Sequence, residues 1–203
     1  LAAQAETSSP PQEWSFDHEA PGTPPKEFSI GTLFDGRPAG DWQILATVRA
    51  KSLPHVLAQL MAKGAEHAYK VILLKEVIAS DLNLAVSFLP IQGKADMGGG
   101  LIWRAYDDRN YYLTRANPLE QNIRVYRVVN GVRHMLGNFN QTIDVKQWHT
   151  LRVTHQDCRV KIFYDDKQVF DLCDKTFQTG MTGLWTKSDA VTYFDDLHLQ
   201  HVK

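Results

Sequence analysis

Asn130-Gly131 sits between two runs in which apolar and polar residues alternate, and no other feature restricts the fold so much. The segment reads QNIRVYRVVNGVRHMLGNF over residues 121–139. An Asn-Gly pair supplies the two φ > 0 residues that a two-residue type I′ hairpin turn demands. Pairing Val129 with Val132 then sets Arg127 opposite His134, Val125 opposite Leu136 and Ile123 opposite Asn138. The face carrying these residues is mainly apolar, whereas Arg124, Tyr126 and Arg133 fall on a more polar one. Just upstream, GGLIWRAYDDRNYYLTR (residues 99–115) has the same strand-turn-strand character. The chain is therefore an antiparallel β protein.

The rest of the sequence extends that pattern. In Leu82 to Phe88 the residues Leu82, Leu84, Val86 and Phe88 share one face, and Leu151 to His155 alternate in the same way. About a dozen short runs from Trp42 to His201 are bounded by turn residues, and no amphipathic helix interrupts them. That arrangement predicts a two-sheet sandwich and excludes a βαβ fold. Residues 55–63 contain good helix formers, but Pro54 opens them in an extended conformation and Gly64 ends them, so a strand is expected. One short early strand is expected at Trp14 to Asp17, inside a proline-rich leader.

A chain of 203 residues fits one large β domain. Residues 1–13 read as a disordered leader or signal-peptide remnant, with Ala3-Gln4-Ala5 as a small-x-small cleavage pattern, and residues 14–203 as a single domain. This predicts a secreted, periplasmic or cell-envelope protein. A formal charge of −1 provides no field to attract a polyanion, so nucleic acid is not an expected partner. No apolar run reaches the ~18 residues of a membrane span. Cys158 and Cys173 fall opposite one another if Tyr164 pairs with Lys167 across an Asp165-Asp166 turn. At a hydrogen-bonded site their Cα atoms would be ~5.5 Å apart, within reach of a disulfide.

The order of signals adds a resemblance. Gly99-Gly100-Leu101-Ile102-Trp103-Arg104 leads into Asp107 to Arg115, then the Val129-Asn130-Gly131 hairpin and Trp148-His149-Thr150-Leu151-Arg152-Val153. After them come Gly180-Met181-Thr182-Gly183-Leu184-Trp185-Thr186-Lys187 and Phe194-Asp195-Asp196-Leu197. Over residues 80–200 the series resembles the concanavalin A-like lectin/glucanase superfamily, and within it laminin G-like jelly rolls of the 3-keto-disaccharide hydrolase type. The resemblance implies an all-β, two-sheet antiparallel jelly-roll sandwich and a carbohydrate partner. It also implies a structural calcium ion between the N-terminal and last strands, with Asp17 and Asp195 or Asp196 as oxygen ligands; no other cofactor is required. Retaining glucanases of this superfamily carry a Glu-x-Asp-x-x-Glu strand, and this chain has none. Its acidic pairs, Asp107-Asp108, Asp165-Asp166 and Asp195-Asp196, are adjacent, and neighbouring side chains of a regular strand point to opposite faces.

The candidate ligand-binding residues are aromatic, cationic or acidic groups on these strands. Trp103, Arg104, Tyr112 and Arg115 occupy two neighbouring strands, although the same aromatics would equally fill a core. Trp185, Lys187 and Asp189 close one strand and enter a loop, where the polar neighbours would keep the indole wet. Arg127 and His134 face each other on the Asn-Gly hairpin. The eight histidines show no zinc-ligand spacing. A Gly-x-Ser-x-Gly elbow is absent, and Gly98-Gly99-Gly100 precedes a strand, so those glycines serve a bend or bulge and not an anion cradle. The expected function is carbohydrate binding without catalysis. A glycoside hydrolase of the 3-keto-disaccharide type and a laminin G-like interaction module are the alternatives.

Overall fold

A computed structural model describes residues 9–203. The Ala3-Gln4-Ala5 motif lies outside the described residues. Fifteen strands follow one another: β1 (Gln12–Trp14), β2 (Phe28–Ile30), β3 (Trp42–Ala46), β4 (His55–Gln59), β5 (Tyr69–Leu74), β6 (Leu82–Gln92), β7 (Gly99–Asp107), β8 (Asn110–Asn117), β9 (Asn122–Val129), β10 (Val132–Asn140), β11 (His149–Gln156), β12 (Arg159–Tyr164), β13 (Lys167–Cys173), β14 (Met181–Lys187) and β15 (Val191–His201). All pairings are antiparallel and form two sheets. The first runs β13-β12-β11-β6-β15-β4-β3, and β1 also pairs with β15; the second runs β10-β9-β8-β7-β14-β5-β2. The protein is an all-β two-sheet sandwich, as the alternation requires. Residues 55–59 are strand, as expected.

Strand β15 organises the first sheet. One of its sides pairs with β6 along almost its whole length, while the other meets β4 at Thr192–Phe194 and β1 at Leu197–Leu199. Strand β1 therefore includes Gln12 and Glu13, which the sequence reads as leader. The main core lies between the sheets and includes Trp42, Leu57, Ile72, Leu84, Phe88, Leu101, Trp103, Leu151 and Phe194. Gly99 is required there, because a Cβ on it would lie 2.6 Å from the Phe194 ring.

The turns form where the sequence places them. Asn130 and Gly131 have φ of 50° and 79°, and Asp165 and Asp166 have 45° and 65°, so both hairpins close on left-handed residues. Bulges account for the departures. In the Asn-Gly hairpin Val132 faces Val129 and His134 faces Arg127 as expected, but a shift at Leu136 puts Gly137 opposite Val125 and Phe139 opposite Ile123. Gly137 permits this, since a Cβ there would come 2.8 Å from the Phe170 ring. Tyr164 does pair with Lys167, yet a second shift between Ile162 and Phe163 brings Arg159, not Cys158, opposite Cys173. Cys158 belongs to the turn preceding β12, and it still forms a disulfide with Cys173 at a Cα–Cα distance of 4.8 Å.

Candidate functional site: the curled outer face of the second sheet

Contacts across the second sheet show how strongly it bends. From β10 to β5 there are five strand-to-strand steps, ~24 Å in a flat sheet. Arg133 on β10 nevertheless holds its guanidinium carbon 5.1 Å from the ring centre of Tyr69 on β5. The same carbon lies 4.8 Å from Tyr126 and 5.9 Å from Trp185. No single side chain bridges a flat sheet of that width, so the sheet curls around its outer face. The loop after β2 closes the gap further. The Thr32 amide donates to Asp108 Oδ2 at 2.6 Å, and Phe34 reaches the hairpin tip, where a Cβ on Gly131 would come 3.0 Å from its ring.

The curl gives the outer face its own small core: Val71, Leu73, Ile102, Ala105, Tyr111, Leu113, Tyr126, Val128 and Trp185. Above it runs a depression in three joined parts, all bordered by Phe34 and His67. The largest part, about 690 Å³, is walled by Tyr69, Arg124, Tyr126, Arg133 and Met135. A 360 Å³ part extends beneath the loop at Asp35 and Arg37 to Lys63 and Lys70. Phe34 remains 68% exposed under the guanidinium of Arg109, which is 4.7 Å from its ring centre.

Polar satisfaction differs sharply along this face. Arg124 donates to Asn138 Oδ1 at 2.9 Å and pairs with Glu120 at 3.0 Å; Asp35 is held by Arg37 at 2.6 Å. Lys70 is buried, with Nζ donating to the carbonyls of Met61 and Lys63, and burial lowers its pKa to about 8. Among the described residues, Arg133 has no carboxylate within ion-pair distance and no hydrogen-bond acceptor. Two buried groups on the same face, the Tyr111 hydroxyl and the Trp185 indole N–H, also lack partners elsewhere. Burial pushes the Tyr111 pKa upward; the adjacent Trp185 indole N–H and, less strongly, the charge of Arg133 act on it in the opposite sense, so these two buried groups have at most each other.

The residues singled out from sequence lie elsewhere, and for identifiable reasons. Alternation separates Trp103 from Arg104, but a bulge with Arg104 at φ 46° turns both side chains inward. They meet His155: Trp103 Nε1 donates to Nδ1 at 3.0 Å, and Arg104 Nη1 lies 3.0 Å from Nε2. Arg104 also donates to the carbonyls of Ser80, Asp157 and Phe177 and pairs with Asp81 at 3.1 Å. Tyr112 is core, with its hydroxyl on Asp174. Arg115 is buried against Asn122 and Glu120. Trp185 is buried because β14 is flanked by β7 and β5 and is not an edge strand. Lys187 pairs with Asp96 at 3.0 Å, and Asp189 accepts the amides of Lys94, Ala95 and Asp96, fixing the loop before β7. Arg127 pairs with Asp174 at 3.1 Å at the open end of the sandwich, and His134 is exposed opposite it. None of these nine side chains borders the depression, although Trp185 lies below Arg133.

The carboxylates named for calcium are engaged with the protein. Asp17 Oδ1 accepts the His55 amide at 3.1 Å. A bulge in β15, with Asp196 at φ 48°, lets adjacent Asp195 and Asp196 both reach the Ser52 hydroxyl, which a regular strand would forbid. Asp195 also accepts the amides of Lys51, Ser52 and Asp196, and burial raises its pKa to about 6. Among the described residues no three His, Cys, Asp or Glu groups converge as metal ligands.

Comparison with known proteins bears on the fold. No protein-family model matches the chain. A levanase from Bacillus subtilis (strain 168) is 26% identical over 128 residues, which is 62% of this chain but 18% of that enzyme. Among solved structures, the carbohydrate binding module CBM66 from Bacillus subtilis superposes with a TM-score of 0.69 at 20% identity, covering 86% of this chain and 95% of that one. A Bacillus subtilis protein of unknown function with a galectin-like fold gives 0.61 at 10% identity, with 87% and 90% covered. Domain 4 of AbnA, an extracellular GH43 arabinanase from Geobacillus stearothermophilus in complex with arabinotriose, gives 0.57 at 11%, with 86% and 81% covered. The fold is thus the β-sandwich shared by galectin-like proteins and these modules.

Missing from the sequence-based set are Phe34, His67, Tyr69, Arg124, Tyr126 and Arg133. A signal for three of them was present: the alternation places Arg124, Tyr126 and Arg133 on the more polar face of the hairpin. The other three come from distant segments that only the curl brings close.

Proposed function

We propose that this chain is a carbohydrate-binding domain without catalysis of its own, and that sugar lies in the depression over the outer face of the second sheet. The observation carrying this reading is the exposed Phe34 beside Tyr69 and Tyr126, with arginine donors between the rings. Ring faces stack on the apolar faces of pyranose or furanose rings, and guanidinium N–H groups bond their oxygens. The size of the larger hollow suits an oligosaccharide fragment. The likeness to a carbohydrate binding module and the weaker one to a levanase support the same ligand class, and make levan fragments a natural first probe.

The hydrolase alternative draws no support from this surface. The acids bordering it are Asp35, paired with Arg37, and Asp108, one oxygen of which accepts the Thr32 amide, so this surface presents no pair of free carboxylates. Export is part of the proposal, and the Cys158–Cys173 disulfide fits an oxidising compartment. Calorimetric titration of oligosaccharides against the intact chain and Phe34→Ala tests the binding reading. Heat from at least one oligosaccharide, reduced about tenfold or more in affinity by the substitution, is the expected result. Silence across fructan, arabinan, galactan and polyuronate fragments would remove it.

A further inference from the structure

The balance of donors and acceptors in the depression points to the charge of its ligand. Its border contains Arg37, Lys63, Lys70, Arg109, Arg124 and Arg133 against Asp35 and Asp108. This concentration occurs on a chain of formal charge −1, so it is local. Both acids already accept protein donors. Arg133 occupies the centre, held only by the rings of Tyr69, Tyr126 and Trp185. Below it the Trp185 indole N–H, which can only donate, has at most the Tyr111 hydroxyl beside it.

A neutral sugar hydroxyl donates as well as accepts, and a site for neutral sugar needs free acceptors to receive those protons. This one offers a planar fork of free donors; its two carboxylates already accept protein donors, and the side-chain acceptors beside the fork are the Tyr69 and Tyr126 hydroxyls and the His67 ring. We propose that the depression recognises a glycan bearing a carboxylate, a uronate unit, whose two oxygens take the Arg133 fork side by side. The inference rests on the carbohydrate-binding reading and specifies its ligand class. Arg133 is suited to the role because a guanidinium stays charged, matches carboxylate geometry and stacks on rings that fix its plane. The aromatic floor also partly shields the pair from water, which strengthens it relative to an open surface pair. Lysine would supply charge without the fork.

The test is calorimetry of the intact chain with trigalacturonate, with the trigalactose made from it by carboxyl reduction, and with levan trisaccharide. The acidic sugar should bind about tenfold or more tightly than its reduced counterpart, and more weakly as salt rises. Arg133→Met should bring the acidic sugar to the level of the reduced one, and Arg133→Lys should fall between; near-ultraviolet circular dichroism checks that each variant is folded. If either neutral sugar binds as tightly as the acidic one, the uronate proposal is overturned while carbohydrate binding stands. If none of the three produces heat, the uronate proposal is lost, and carbohydrate binding is lost with it once arabinan fragments are silent too. An Arg133→Met variant that is folded and retains full preference for the acidic sugar also overturns the assignment.

Discussion

The two faces of the second sheet use the same residue types to opposite ends. On the inner face Arg104, Trp103 and His155 interlock, and each nitrogen of the Arg104 fork finds a carbonyl or Asp81. On the outer face Arg133, Trp185 and Tyr111 form a similar group in which the Arg133 fork has no acceptor and the two buried groups have at most each other. Burial alone does not distinguish them, since Trp103 and Trp185 are both about fully enclosed. Hydrogen-bond satisfaction does: an arginine-aromatic cluster whose bonds are all made is part of the fold, and one whose bonds are open is available to something else.

The contrast can be broken most forcefully at the arginines. Arg104→Met should cost about 3 kcal/mol, because it strands three carbonyls and Asp81, whereas Arg133→Met should shift stability by less than about 1 kcal/mol. Urea denaturation of the two variants measures both, and equal losses would erase the distinction.

Protonation probes the inner cluster next. Burial first, and then the charge of Arg104, lower the His155 pKa from 6.5 to about 4. The folded chain therefore binds fewer protons than the unfolded one between those values. This contribution is complete above pH 6.5 and disappears as pH falls toward 4. Asp195 acts in the opposite sense: its pKa, raised to about 6, makes stability fall as pH rises from 3.8 to 6. Comparing wild type with His155→Phe isolates the first effect. The variant should lose less stability on acidification from pH 7 to pH 4.5, and parallel curves would refute the assignment.

The tryptophans sharpen the comparison further. Trp103→Phe removes a made hydrogen bond and should cost about 1–2 kcal/mol, since His155 loses a donor. Trp185→Phe removes at most a contact with the Tyr111 hydroxyl and should be neutral within about 1 kcal/mol. Thermal melts of the pair decide the matter, and a larger loss at Trp185 would show that its N–H has a partner after all.

Last and smallest is the turn. Gly131→Ala, at φ 79°, should cost about 1 kcal/mol and leave the Arg127–His134 pairing intact, as amide exchange along β9 and β10 would show. A stability loss with the exchange pattern of both strands unchanged shows that strain at the turn costs energy without moving the register; a shifted pattern would refute it.

How far the sequence could be read follows the same divide. Periodicity of two and the Asn-Gly and Asp-Asp turns determine the architecture, and those signals are local. Bulges at Arg104, Leu136, Phe163 and Asp196 were not legible, because a non-glycine residue at positive φ or an extra residue in one strand leaves no compositional mark. Each moves a side chain to a face that alternation denies it, and so Trp103 and Arg104 become neighbours. The curl was equally hidden. Phe34, Tyr69 and Arg133 are far apart in the chain, and nothing local to any of them announces that they share a wall.

The way β15 is shared between β4 and β1 has a consequence for how the protein is made. Gln12–Trp14 waits for Leu197–Leu199, so β1 leaves the ribosome long before the strand it docks on. Nascent chain lacking β15 has β6 exposed along one whole side, and pairings of such long sequence separation form slowly. Until then the half-built sheet offers an open edge to any passing strand, and a holding chaperone would find its grip there.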